Sequence, residues 1–184
     1  MQQIASSAQL RASVLRWALF TVPLCIGLGF LSARAAGSVA TNAWFETLDK
    51  PDIYPPAIAF PIVWSALYAL MGFALALIAS ARGARGREIA MVLFVVQLAV
   101  NLSWSPVLFS MHRITWALWI IFVLIVLVIL TIAFAWRVRR TAAALLLPYL
   151  AWICFASVLN LQLLELNPGA DGGDGSGSTV RVQL

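Results

Sequence analysis

The sequence predicts an all-α integral membrane protein, a bundle of five transmembrane helices with a long ordered loop between the first two helices. Three observations lead to this prediction. Of the 184 residues, 62% are hydrophobic and only 10% are charged, which suits lipid better than water. Five apolar runs each reach the roughly 20 residues that a helix needs to cross a hydrocarbon core of about 30 Å. The twelve basic residues stand mostly in short clusters between these runs.

The five runs define the domain organisation. A polar N-terminal segment (1–15) precedes a transmembrane domain (16–166), and a polar, glycine-rich tail (167–184) is predicted to be disordered because it cannot pack. The predicted helices span about 17–36, 60–80, 89–111, 114–136 and 142–166. The first contains small residues at four-residue spacing, Gly29, Ala33 and Gly37, which allow a neighbouring helix to approach closely.

Basic residues at the helix ends predict the orientation. Five crossings place the N-terminus and the 81–88 and 137–141 loops on one side of the membrane. That side carries eight of the twelve basic residues, namely Arg11, Arg16, Arg82, Arg85, Arg87, Arg137, Arg139 and Arg140. The positive-inside rule therefore predicts a cytoplasmic N-terminus, with the 37–59 loop and the C-terminus outside. Because the clusters form no single basic face, a nucleic-acid partner is not expected.

A rigid loop leads into an aromatic face of the second run. Pro55 and Pro56 lack backbone donors and exclude helix at their positions, whereas Pro61 suits the first helical turn. Trp64 and Tyr68 then recur one turn apart on one face. These rings either form an aromatic belt at the membrane surface or line a cavity.

Amide and aromatic side chains share faces of the third and fifth runs as well. Gln97, Asn101 and Trp104 lie on one helical face, so the amides either bond a neighbouring helix or face a cavity. Trp152 and Ala156 form a comparable face in the fifth run, with Ala156 leaving room beside the indole. An aromatic, weakly polar cavity would suit a flat, largely apolar ligand.

The residues that metal sites and common catalytic centres need are scarce. The single histidine, His112, has no carboxylate or cysteine near it in sequence, so no metal site and no nucleophile–base pair is indicated. The centres of the five runs contain no carboxylate, which argues against an ion-coupled pump. We therefore predict no metal and no required cofactor.

Five ordered motifs carry a resemblance to a known family. They read W-F-x-x-L-x-K-P at 44–51, P-P-x-x-x-F-P-x-x-W-x-x-L-Y-x-x-M-G at 55–72, Q-L-A-x-N-x-x-W-x-P at 97–106, W-A-L at 116–118 and P-Y-L-A-W-x-x-F-A-S-V-L-N at 148–160. From about residue 17 to 160 the chain resembles the translocator protein family, also called TspO, tryptophan-rich sensory proteins or peripheral-type benzodiazepine receptor relatives.

The resemblance implies a five-helix membrane bundle, often a homodimer, whose first loop covers a pocket for porphyrins and, in some members, sterols. Protoporphyrin IX or heme is the implied ligand. Tyr68 and Asn101 would offer it the few polar contacts. The ligand-binding positions are thus expected to be Trp44, Phe45, Trp64, Tyr68, Asn101, Trp104, Trp116, Trp152, Ala156 and Leu159, with the first two in the lid.

The expected function is tetrapyrrole binding in transport, sensing or disposal, without enzymatic activity. Two alternatives stay open: light-dependent porphyrin degradation with Trp64 and Trp152 as participants, and a non-catalytic interaction protein without a porphyrin ligand. Three departures from the family pattern bear on the ligand. Ile53 and Leu102 stand where tryptophan is common, and Glu165 stands in a sterol-recognition pattern that needs a basic residue, which disfavours sterol.

Overall fold

The computed structural model describes residues 7–37 and 42–172, which form seven α-helices and one π-helical turn. The helices are α1 (Ser7–Ala35), α2 (Ala43–Glu46), α3 (Ala59–Ser80), α4 (Arg87–Ser105), α5 (Ile114–Val138), α6 (Arg140–Leu145) and α7 (Leu147–Leu166), and the π turn is Pro106–Ser110. Within the described ranges, five helical segments are long and apolar enough to cross a membrane: Ala8–Ala35, Ala59–Ser80, Arg87–Ser110, Ile114–Val138 and Arg140–Leu166. The predicted five-helix, all-α class is confirmed.

Helix α1 begins at Ser7, ten residues before the predicted start, and so takes in part of the segment expected to be polar and separate. Its first turns contain Ala, Gln, Leu and Arg, all good helix formers. At 1.5 Å per residue its 29 residues extend about 43 Å, well beyond a hydrocarbon core of about 30 Å. The helix is therefore longer than a crossing of the hydrocarbon core requires. Residues 1–6 lie outside the described ranges.

Glycines bring α1 and α3 together, and this is the most extensive helix pair in the bundle. A Cβ added at Gly72 would lie 2.6 Å from the Val22 Cα, so the two backbones are in direct contact there. The Thr21 hydroxyl donates to the Gly72 carbonyl at 2.7 Å. Gly29, in the predicted small-residue series, packs against the Tyr68 ring, whereas the close backbone approach lies at Gly72.

Two prolines interrupt the predicted helices. At Pro106, α4 passes into the π turn, because proline has no N–H for the regular ladder and its ring clashes with the preceding turn. At Pro148 the segment predicted as one helix over 142–166 divides into α6 and α7, with Leu146 between them. Pro148 then occupies the first turn of α7, where a missing N–H costs nothing.

The lid, defined here as residues 42–58, lies at the end of the bundle opposite the N-terminus of α1. Asn42 caps α2 by accepting from the Phe45 N–H at 2.8 Å, and its Nδ2 donates to the Phe109 carbonyl in the π turn at 2.9 Å. Residues 38–41, which belong to the loop predicted to be ordered, lie outside the described ranges. The order of the complete loop stays a prediction.

The start of the predicted disordered tail packs against the lid. Asn167 donates from Nδ2 to the Asp49 carbonyl at 2.8 Å, and its Oδ1 accepts from the Asp49 N–H at 2.9 Å. The Gly172 N–H donates to the His112 carbonyl at 2.7 Å. The Asn167 amide can do this because it carries both a donor and an acceptor, which match a backbone C=O and N–H. Within residues 167–172, Asn167 and Gly172 thus have defined partners. Residues 173–184 lie outside the described ranges.

Candidate functional site

A chain of aromatic rings joins the lid to the transmembrane helices. Phe45, buried in α2, has its ring centroid 6.0 Å from that of Tyr54, which lies 5.2 Å from Phe60 in the first turn of α3. Phe60 meets the Trp152 ring of α7 edge-on at 6.1 Å. These distances are those of direct aromatic contact. The lid is therefore packed onto α3 and α7 by its rings.

A second branch of rings runs from the lid to α4 and to the loop before α5. Phe45 contacts Phe109 of the π turn at 5.2 Å, and Phe109 contacts Trp104 of α4 at 5.8 Å. Trp44 stacks on His112, with centroids 4.3 Å apart and an interplanar angle of 21°. Trp44 and Phe45 of the lid thus both rest on residues that follow α4.

A polar contact lies deeper in the bundle, below the lid. Trp64 stacks on Tyr68 at 5.4 Å and meets Tyr149 of α7 edge-on at 6.4 Å. The Tyr68 hydroxyl donates to Asn101 Oδ1 at 2.6 Å, which links α3 to α4. We refer to all these rings together with the Asn101 amide as the aromatic cluster; its members are Trp44, Phe45, Tyr54, Phe60, Trp64, Tyr68, Asn101, Trp104, Phe109, Tyr149 and Trp152.

Several buried polar atoms near or within the aromatic cluster have no hydrogen-bond partner in the described part of the chain. They are both side-chain atoms of Gln97 and of Asn160, the indole Nε1 of Trp104, the hydroxyl of Tyr149 and Oε1 of Gln162. A buried donor without an acceptor costs about 1–3 kcal/mol. The indole N–H of Trp104 is therefore a donor that a polar atom of a ligand would satisfy.

The structure places seven of the ten predicted ligand-binding residues in the aromatic cluster: Trp44, Phe45, Trp64, Tyr68, Asn101, Trp104 and Trp152. Ala156 and the buried Leu159 follow Trp152 at one and two turns on α7. Asn101 also bonds a neighbouring helix, which was one of the two interpretations left open by the sequence, whereas Gln97 is buried without such a bond.

Trp116 lies outside the aromatic cluster, and its role in ligand binding stays a prediction. Its side chain is 64% exposed, on the outer side of α5, and the structure does not bring it to the aromatic cluster. The buried stripe of α5 contains Ile114, Ala117, Leu118 and Ile121 instead. Since that stripe turns toward α4 and α7, a ring at position 116 points away from the bundle.

Two of the three departures from the family pattern, Ile53 and Leu102, lie in different surroundings. Ile53 is 49% exposed on the lid, so it adds no ring to the aromatic cluster. Leu102 is partly buried against the main core, and its carbonyl accepts from the Ser32 hydroxyl of α1 at 2.6 Å.

Charge near the aromatic cluster lies at its outer edge. The Lys50 ammonium is 5.3 Å from the Phe45 ring centroid, within cation–π range, and donates to the Leu48 carbonyl at 3.3 Å. Burial in the lid raises the pKa of Tyr54 to about 12, because ionisation would place a charge among apolar rings. The lid rings are thus neutral at physiological pH, with one cation beside them.

Four members of the aromatic cluster were missing from the sequence-based set: Tyr54, Phe60, Phe109 and Tyr149. Phe60 lies one helical turn before Trp64, and Tyr149 lies three residues before Trp152, so helical spacing alone was enough to find both. Tyr54 joins because the lid folds so that Phe45 and Phe60 meet its ring, and Phe109 joins because the lid packs onto the π turn. No local pattern in the sequence predicts these contacts of Tyr54 and Phe109.

Comparison with known proteins agrees with the arrangement of helices and rings. A family model described as TspO/MBR family matches residues 21–166. A tryptophan-rich protein TspO from Chlorobaculum tepidum is 39% identical over 156 residues, covering 82% of this chain and 98% of the relative. The translocator protein of Sus scrofa is 36% identical, covering 84% and 91%. A tryptophan-rich sensory protein from Cereibacter sphaeroides is 35% identical, covering 82% and 92%.

Proposed function

Because the chain belongs to the TspO/MBR family, and is therefore a multi-pass integral membrane protein, we propose that it binds porphyrin-type tetrapyrroles within its aromatic cluster. The role would be in tetrapyrrole transport, sensing or disposal. One observation carries the proposal: α3, α4, α7 and the lid bring together two neighbouring groups of aromatic rings, with four indoles between them and an unpartnered buried indole donor at Trp104.

A porphyrin fits the chemistry of such a cluster. Its macrocycle presents two flat π faces, which indole and phenol rings bind by offset stacking. Its polar atoms would accept from the Trp104 indole N–H, which has no partner otherwise. The Tyr68–Asn101 hydrogen bond would hold the Trp64 face in place for stacking. The cluster thus combines stacking surface with few, fixed polar groups, as ligand sites commonly do.

Entry of the ligand would require the lid to move. The rings of Phe45, Tyr54 and Phe60 lie 5.2–6.0 Å apart and fill the space between lid and helices. A flat ligand stacked between two rings needs about 7 Å between them, twice the usual contact distance. The lid rings would therefore separate first, and association would be slowed by that conformational change.

The membrane context adds two further parts to the proposal. By the positive-inside rule the N-terminus of α1 would be cytoplasmic, so the lid and the aromatic cluster would open toward the outside. The family resemblance suggests a homodimer. Light scattering of the purified protein, corrected for bound detergent, would measure its mass and test that association.

The experiment that tests the proposal is a fluorescence titration of the purified full-length protein with protoporphyrin IX. We expect saturable quenching of tryptophan emission in the wild type. The double variant Trp64→Phe/Trp152→Phe should bind at least about tenfold more weakly, since two stacking faces worth about 1 kcal/mol each are reduced. A matched double variant, Trp116→Phe/Trp119→Phe, removes two exposed indoles outside the aromatic cluster and should bind as the wild type does.

Two results would contradict the site assignment: unchanged binding after replacement of Trp64 and Trp152, or equal losses in both double variants. If no porphyrin binds to correctly folded protein, the interaction-protein alternative is favoured. Illumination of the complex separates binding from degradation. Loss of porphyrin absorbance that depends on Trp152 would indicate the photochemical alternative.

A further inference from the structure

A groove of about 440 Å³ lies at the end of the bundle opposite the lid, remote from the aromatic cluster. It is formed by the N-terminal half of α1 and the loop between α3 and α4. Its lining residues are Ser13, Arg16, Trp17, Phe20 and Arg82. Two cations, two aromatic rings and a hydroxyl thus surround one space, a combination that binds an amphipathic anion.

The position of the groove along α1 places it at the membrane surface. The helix extends about 43 Å against a hydrocarbon core of about 30 Å, so roughly nine residues lie beyond the core. Trp17 is followed by an apolar stretch and preceded by Arg11 and Arg16. Indoles prefer the headgroup level, and arginines next to them face the water. The cations of the groove therefore lie at the height of lipid phosphates.

The two arginines of the groove are free to bind a ligand. Both are exposed, and neither the Arg16 nor the Arg82 guanidinium has a hydrogen bond or an ion pair within residues 7–37 and 42–172. Arg87 nearby is different, because its Nε and Nη2 donate to the Ala79 carbonyl at 3.2 and 2.9 Å and close the end of α3. No acidic residue lines the groove as described. The two charges are thus uncompensated.

The apolar side of the groove continues into the lipid-facing surface of α1. Phe20 is 62% exposed, and Leu24 one turn further is 39% exposed on the same face. Trp17 is half-buried beside them. A molecule with its anionic group on the arginines would therefore lay its apolar part along these side chains, directed toward the membrane interior.

We propose that this groove is a binding site for an anionic phospholipid. Guanidinium groups bind phosphate through paired N–H donors, and basic pockets at the cytoplasmic ends of membrane helices commonly take lipid headgroups. Phosphatidylglycerol has a net negative charge and only hydroxyls beyond its phosphate, so it matches two arginines and Ser13. Phosphatidylcholine carries an ammonium group that the same arginines repel. The proposal does not depend on porphyrin binding.

Native mass spectrometry of the detergent-solubilised full chain tests the proposal by titration with phosphatidylglycerol or with phosphatidylcholine of the same acyl chains. We expect the first phosphatidylglycerol to bind at least about tenfold more tightly, which corresponds to one charge-assisted contact. Arg16→Gln and Arg82→Gln should each remove most of that preference. Arg11→Gln on the same helix and Arg85→Gln in the same loop remove equal charge outside the groove and should change affinity by less than about twofold.

Three outcomes would overturn the proposal. Equal affinity for the two lipids would exclude a phosphate-selective site, and equal losses in all four variants would indicate diffuse surface attraction. Displacement of the lipid by millimolar sn-glycerol 3-phosphate would show that a soluble phosphate, not a lipid, is the ligand. Arg82→Lys, which keeps the charge and loses the paired donors, should retain part of the preference. Porphyrin quenching should be unchanged in each variant, which keeps this test separate from that of the aromatic cluster.

Discussion

Substitution of Gly29 in α1 by alanine should disturb the aromatic cluster through the Tyr68 ring of α3. A Cβ at position 29 would lie 2.6 Å from the Tyr68 Cδ2 and in closer contact with the rest of that ring edge. The ring cannot simply turn aside, because its hydroxyl donates to Asn101 at 2.6 Å and its face stacks on Trp64 at 5.4 Å. The Tyr68 ring, its hydrogen bond or helix α1 has to shift.

The expected magnitude follows from three contributions. Insertion of one extra methyl group into a packed contact costs about 1–3 kcal/mol. Loss of a hydrogen bond between membrane helices adds about 0.6 kcal/mol. The helical preference of alanine over glycine offsets about 1 kcal/mol. We therefore expect a net loss of about 1–2 kcal/mol in unfolding free energy, together with weaker porphyrin binding because Trp64 loses its support.

Thermal unfolding of the purified variants in detergent measures the effect, and Gly27→Ala is the matched control. A Cβ at Gly27 meets nothing within 4 Å, so this variant should equal or slightly exceed the wild type in stability. In a Tyr68→Ala background the clash is removed, and Gly29→Ala should then cost almost nothing. An equal cost of Gly29→Ala in both backgrounds, or an equal cost at positions 27 and 29, would refute the reasoning.

Three other predictions concern the lid. Asn167→Ala removes both hydrogen bonds to the Asp49 backbone and should speed hydrogen exchange across residues 44–51. The control Glu165→Gln changes an exposed side chain and should leave exchange unchanged. Equal exchange in both variants would show that the Asn167–Asp49 hydrogen bonds do not hold the lid. Lys50→Met should weaken binding of protoporphyrin IX by about two- to fivefold, as for one exposed charge pair, and should leave binding of its dimethyl ester unchanged. Equal effects on both ligands would exclude a carboxylate contact. The pKa of Tyr54 is about 12 in the folded lid against an ordinary value of 10.0, so its stabilising contribution is complete below pH 10 and is lost as pH rises from 10 to 12. Tyr54→Phe should lessen lid opening over that interval, measured by hydrogen exchange or proteolysis. An identical alkaline profile in the variant would contradict the assignment.

The five crossings and their approximate ends were predictable from sequence. An apolar run of about 20 residues has few stable positions other than a membrane, and its backbone must then be helical to satisfy its own polar groups. The close approach at Gly29 also followed from local spacing, since small residues at four-residue intervals form a flat strip on one helical face. The division between α6 and α7 was foreshadowed by Pro148, although the sequence-based helix ran through it.

The family motifs named most of the aromatic cluster, but they did not show which way each ring faces. Trp116 and Trp152 both lie in recognisable motifs, yet the structure places the first at 64% exposure on the outside of α5 and the second against Phe60. Tyr54 and Phe109 carry no motif-based signal for the cluster. Tyr54 contacts Phe45 only in the folded lid, and Phe109 contacts Phe45 only when the lid packs on the π turn. These contacts join segments that are far apart in the chain.

The sequence by itself therefore determined which segments are long and apolar enough to enter the membrane and where small residues allow close contact between helices. Only the tertiary structure decided which faces meet. The physical reason is that lipid is as apolar as a protein core, so a membrane helix can be hydrophobic all round and its hydropathy does not mark the buried side. The inward face is chosen instead by packing against other helices, as at Gly72 with Val22, and by hydrogen bonds such as that between Tyr68 and Asn101.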